Sequence, residues 1–169
     1  MKISTFTALV ARWLTMVLAI GAIVWTYSVN APEVTLSYDG NGNPSVVVTK
    51  SQLFYLAAAI FLISNVLLAH MKKQIPGIPI AVMPIPHKKL WAESRPELDE
   101  FLGNWLFAVI SAVNFILSLG LFIVASDNSL QFKLNLGDFN WVYYASYVIL
   151  FAVLVLIPLK LLRPPVPAS

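Results

Sequence analysis

The chain has 169 residues, of which 59% are hydrophobic and only 11% charged, against about 25% charged in an ordinary soluble domain. That balance excludes a water-soluble globule and indicates a polytopic membrane protein. With no cysteine, two histidines (His70 and His87) and a net charge of only +3, disulfides, thiolate chemistry and an all-histidine metal site are excluded. The expected partners are the lipid bilayer and other membrane proteins, with no nucleic acid, no metal and no cofactor; the sequence does not define an oligomeric state.

The first apolar stretch runs over about 7–29. Lys2 and Arg12 precede or enter it, and Val29-Asn30-Ala31 has the small residues of a signal-peptidase site. The run is longer than a signal-peptide core and Pro32 would follow the cut, so the expectation is a retained span. Arg12 is expected to snorkel to the near interface.

The connection 30–51 holds two β-rich runs around Asp39-Gly40-Asn41-Gly42-Asn43-Pro44. Asp-Gly and Asn-Gly tolerate positive φ and signal a hairpin. A looser reading of D-x-N-x-N as a calcium loop lacks the distal glutamate and the flanking helices. The next connection, 126–138, alternates Leu130, Phe132, Leu134 and Leu136 with polar residues. A three-stranded antiparallel cap over 34–38, 45–49 and 130–136 is therefore predicted.

The second span covers about 52–70, ending at His70. The segment 71–100 begins with a proline-rich, weakly charged run that predicts an extended, polyproline-like connector, lying on the membrane or against the bundle. The stretch Lys88 to Glu100 is the most charged part of the chain. Ser94 followed by Pro96, Glu97, Asp99 and Glu100 predicts a helix start, its acids offsetting the helix dipole. Trp13, Trp91 and Trp105 are expected at the headgroup level. His87 has no nucleophile that the sequence pairs with it.

The third span, about 101–125, carries Asn104, Ser111, Asn114 and Ser118 at spacings that share a helix face. With Ser64 and Asn65 of the second span they read as polar glue between helices, or as a patch for a ligand or partner. The fourth span, about 139–162, has almost no polar stripe; Pro158 should loosen its last turns.

Lysine and arginine counts set the orientation. With both termini and 71–100 on one side, that side holds nine of the eleven basic residues, leaving Lys50 and Lys133 opposite. The expectation is a bacterial inner-membrane protein with both termini cytoplasmic.

Two stretches carry a resemblance. Pro32, Val34, Ser37-Tyr38-Asp39, Gly42, Asn43-Pro44 and Lys50-Ser51, followed after the second span by Ile85-Pro86-His87-Lys88-Lys89-Leu90-Trp91-Ala92-Glu93-Ser94-Arg95, fall in the order of two motifs in a family of small bacterial membrane proteins. The shared domain of that family also forms the N-terminal part of the Sdp-type immunity and signalling protein. The chain resembles that family over roughly residues 10–125. It departs where Ser37 stands near the family's external histidine, and the acid–arginine–arginine run is reduced to Glu93, Arg95 and Glu97. The resemblance implies a binding role of the immunity or sensing type, directed at an external peptide or protein.

The reading is a single all-α membrane domain, 1–169, of four transmembrane helices with a small extracytoplasmic antiparallel β-cap. No catalytic motif is present, so a non-enzymatic protein acting by protein binding is expected. It would be an accessory subunit of a membrane assembly or an immunity or sensor protein; the alternative is a small oligomeric transporter or channel. The candidate partner or helix-packing residues are Asn65, Asn104, Ser111, Asn114, Ser118, His87, Trp91 and Arg95.

Overall fold

The computed structural model describes residues 2–129 and 140–163. The predicted third strand at 130–136 lies outside the described residues.

Four helices are long and apolar enough to cross a membrane, which makes the chain an integral, multi-pass membrane protein. The first, α1 (Ile3–Val29), is followed by a hairpin of β1 (Glu33–Tyr38) and β2 (Pro44–Thr49). The second span is α2 (Lys50–Leu62), one wide π turn (Ile63–Leu67) and α3 (Leu68–Gln74). Two 3-10 turns, Ile75–Gly77 and Ile80–Val82, lead to the short α4 (Lys88–Glu93). The third span is α5 (Arg95–Asn128) and the fourth α6 (Asn140–Leu162).

At 1.5 Å per residue the 34 residues of α5 reach about 50 Å, well beyond an apolar slab of about 30 Å. Both its ends therefore project, and both carry its polar contacts. It is the axis of the bundle: 39% of its most apolar window is buried in the protein, against 6% for α6.

Hydrogen bonds fix the directions. Thr5 Oγ1 donates to Glu100 at 2.8 Å and Thr26 Oγ1 to the Leu121 carbonyl at 3.3 Å. Both pairs are 95 residues apart in sequence, so α1 and α5 run parallel in one register. The seam on α1 is narrow, Ala19, Ile23 and Thr26, three positions on one helical stripe. The second span and α6 run antiparallel to α5, since Asn65 meets Asn114 while Arg95 meets Ile75, and Trp105 meets Val153 while Glu97 meets Lys160.

The hairpin pairs Glu33 with Thr49 through Tyr38 with Pro44, with irregular register between Thr35 and Tyr38. Its turn is closed by Asp39: the amide N–H groups of Asn41 and Asn43 donate to Oδ1 at 2.9 and 2.8 Å. Positive φ falls on Gly42, at 82°, where a side chain would be strained. The Asp39 carboxylate is thus occupied by its own loop. Thr49 then caps α2 reciprocally with Gln52, a capping box that joins strand to helix with no linker.

Val34 is fully buried with Ile23, Leu53, Ala57 and Leu121, so the hairpin closes over the end of the bundle. Side chains at the end of α5 hydrogen-bond to it. The Thr35 N–H donates to Asn128 Oδ1 at 2.7 Å, Asn128 Nδ2 donates to the Thr35 carbonyl at 2.9 Å, and the Tyr38 hydroxyl donates to Asp127 at 2.8 Å. Asn30 also bridges to Ser129.

One sequence expectation for the 71–100 segment is corrected, and the helix start predicted at Ser94 is found. The segment is not a polyproline-like run: the second span stays helical through Gln74, and Pro76 and Pro79 then enter or precede 3-10 turns, where a missing N–H costs no ladder bond. Ser94 ends α4 as well as starting α5, and its side chain makes no cap bond. Its carbonyl instead accepts from Glu97 and Leu98.

Candidate functional site

The sequence-chosen residues separate into three places. Asn65 and Asn114 meet in the buried middle of the bundle, exchanging amide hydrogen bonds of 2.8 and 3.2 Å. The π turn makes this possible. It places Ser64 and Asn65 together on the buried side, and both side chains donate to the Phe61 carbonyl at 3.1 and 2.9 Å. Ser111 and Ser118 stand on the same helix face but donate to carbonyls one turn back, Phe107 and Asn114.

Asn104 belongs elsewhere. It donates to Thr5 Oγ1 of α1 at 3.2 Å, not to the second span. Thr5 donates in turn to Glu100, whose other oxygen takes Lys2 at 2.7 Å. That hydrogen bond holds the Lys2 ammonium above its ordinary range. Glu97 pairs with Lys160 at 3.0 Å. A polar vestibule of about 320 Å³ opens among these groups at the end of the bundle opposite the hairpin, here termed the basic end.

Arg95, Trp91 and His87 organise the third place, the 75–95 connection. The Arg95 guanidinium donates to the Ile75 and Ile78 carbonyls at 2.7 and 2.8 Å and to Asp99 at 2.7 Å. It thereby satisfies carbonyls left open where the second span ends. Trp91 corrects a second expectation: it is not at the headgroup level but fully buried with Met83, Leu98 and Leu161, and its indole N–H has no partner among the described residues. Trp105 is likewise engaged, donating to the Val153 carbonyl of α6 at 2.7 Å, beside the turn that Pro158 opens. His87 is exposed, and its backbone takes the left-handed conformation at φ 54° to start α4.

The acids read as dipole compensation are each tied to a basic side chain of the chain: Asp99 to Arg95, Glu97 to Lys160 and Glu100 to Lys2. Among the described residues no three of His, Asp and Glu gather where a metal could sit.

Two surfaces remain that the sequence did not single out. A cleft of about 490 Å³ lies under the hairpin between α5 and α6, bounded by Thr35, Leu53, Leu117, Asp127, Ser146 and Tyr147. It is mostly apolar; its Asp127 and Ser146 already bond to Tyr38 and to the Val142 carbonyl. The other is the outward stripe of α6: Tyr144, Tyr147, Phe151 and Leu154 recur at helical spacing and are 58–72% exposed. The helical spacing of Tyr144, Tyr147 and Phe151 is the signal in the sequence from which that stripe can be found.

No protein-family model matches the chain, and no curated protein or solved structure is significantly similar to it.

Proposed function

We propose that this chain is a non-enzymatic accessory subunit of a larger membrane assembly, docking through the outward stripe of α6. The supporting observation is that stripe itself. Three aromatic rings and a leucine lie in one line on a helix whose most apolar window is only 6% buried in the protein. Tyr147 sits about two turns inside the span, where a phenol O–H has no water to bond; a neighbouring helix would supply an acceptor. Two ion pairs at the basic end, Lys2–Glu100 and Lys160–Glu97, tie the start of α1 and the end of α6 to α5 and support a structural role. The membrane in question would be the bacterial inner membrane, both termini facing the cytoplasm, as the basic-residue asymmetry favours.

The cleft under the hairpin favours a second reading, a sensor or immunity protein taking an apolar ligand or peptide from the hairpin side. A transporter or channel gains no comparable support: the buried amides of the bundle bond to one another.

Photocrosslinking in native membranes tests the docking face. A photoreactive residue at Phe151 or Leu154 should give a discrete protein adduct, and one at buried Ile110 should not. Lipid adducts alone from Phe151 and Leu154, with protein adducts from positions around the cleft, would replace the first reading by the second.

A further inference from the structure

Arg12 and Lys72 converge on one ring. The Arg12 guanidinium lies 4.8 Å from the centroid of Phe107 and the Lys72 ammonium 3.4 Å from the same centroid. The two cations are therefore held no further apart than the sum of those distances. They come from different spans, α1 and α3, and each is only partly exposed. Lys72 is seated there by Gly103: a Cβ at that position would stand 2.9 Å from its Cε.

Such a pair needs an anion. Like charges at this spacing repel, and more strongly at the edge of an apolar slab than in water. Cation–π attraction to Phe107 offsets part of that, but a ring neutralises no charge. Among the described residues neither cation has an ion-pair partner, while Asp99, Glu97 and Glu100 are taken by Arg95, Lys160 and Lys2. The Arg12 Nε–H is buried with no acceptor among the described residues. The site also lies in the bilayer-facing direction from the Lys2–Glu100 level, because Phe107 is seven residues, about 10 Å, further along α5. Snorkelling would carry Lys72 away from it.

We propose that Arg12 and Lys72 bind the phosphate of an anionic membrane phospholipid at the junction of α1, α3 and α5. Basic pockets between spans hold lipid headgroups in this way. The exposed Trp13, whose ring is 6.0 Å from the guanidinium, borders the site.

The test is native mass spectrometry of the full chain in neutral detergent, titrated with phosphatidylglycerol or with phosphatidylcholine of the same chains. One phosphatidylglycerol should be retained per chain, preferred over phosphatidylcholine by about tenfold or more. Arg12→Gln and Lys72→Gln should abolish the preference; Arg12→Lys should keep most of it and Lys89→Gln all of it. Equal retention of the two lipids by the unaltered chain would overturn the proposal, whatever the variants do. Displacement of phosphatidylglycerol by equimolar inorganic phosphate would overturn the lipid assignment in favour of a free anion.

Discussion

Asn65 and Asn114 lie 49 residues apart in sequence and exchange two amide hydrogen bonds inside the bundle, at 2.8 and 3.2 Å. Each amide is the other's donor and acceptor, so the pair is self-satisfying and bonds outward only to Ser64 and the Phe61 carbonyl. Removing one member strands the other in an apolar medium. Asn114→Leu or Asn65→Leu alone should cost about 1–2 kcal/mol. The double variant should cost less than the two added together. Unfolding in mixed detergent–SDS micelles measures this; strict additivity would show that the two amides do not depend on one another.

Arg95 spans three acceptors, so its loss should act at a distance from its own helix. Arg95→Ala is expected to release the 75–93 connection, seen as faster backbone hydrogen exchange and easier proteolysis there, with α5 unchanged. Arg95→Lys should rescue little, because one ammonium cannot reproduce a planar fork across Ile75, Ile78 and Asp99.

The hairpin turn should depend on acid pH through Asp39. Backbone hydrogen bonding, chiefly from Asn43, lowers the Asp39 carboxyl below its ordinary 3.8. A lowered folded-state value means that the carboxylate's contribution is present above 3.8 and lost as the pH falls through the lowered value. Exchange protection at Asn41 and Asn43 should therefore decline in strong acid. Asp39→Ala should lack that protection at every pH; a variant still protected and still acid-sensitive would place the titrating group elsewhere.

At the other limit the Tyr38 hydroxyl, donating to Asp127, is raised above its ordinary 10.0, mainly by that hydrogen bond. A raised value means the contribution is whole below 10.0 and is lost as the pH climbs through the raised one. Tyr38→Phe should abolish any loosening of the hairpin in that alkaline window, read from the phenolate absorbance together with exchange at Val34 and Thr35.

Asn128→Ala should detach the hairpin more than either pH limit does. It leaves both the N–H and the carbonyl of Thr35 without their side-chain partner. The expected cost is about 1–3 kcal/mol of local stability, read as faster exchange at Thr35 with the Asn65–Asn114 region unaffected. Simultaneous loss at both would mean that hairpin and bundle unfold as one unit.

Four spans and a hairpin were legible because their causes are local. Twenty apolar residues, an Asp-Gly or Asn-Gly turn and a proline each act within a few positions of themselves. Even the capping box of Thr49 and Gln52 is written in four consecutive residues. The destinations of the polar side chains were not legible. Asn104, Ser111, Asn114 and Ser118 share a helix face, yet the parallel register of α1 takes Asn104 to Thr5, and the π turn takes Asn114 to Asn65. Trp91 reads as an interface anchor by composition and is a core residue because α4 folds against α5 and the end of α6. Hydropathy specifies how deep a residue lies; only the packing of helices 49 to 99 residues apart selects which side chains meet. For this chain that choice turns amides and acids into internal fasteners, gathers Arg12 and Lys72 on Phe107 without an acid beside them among the described residues, and leaves the stripe of α6 facing outward.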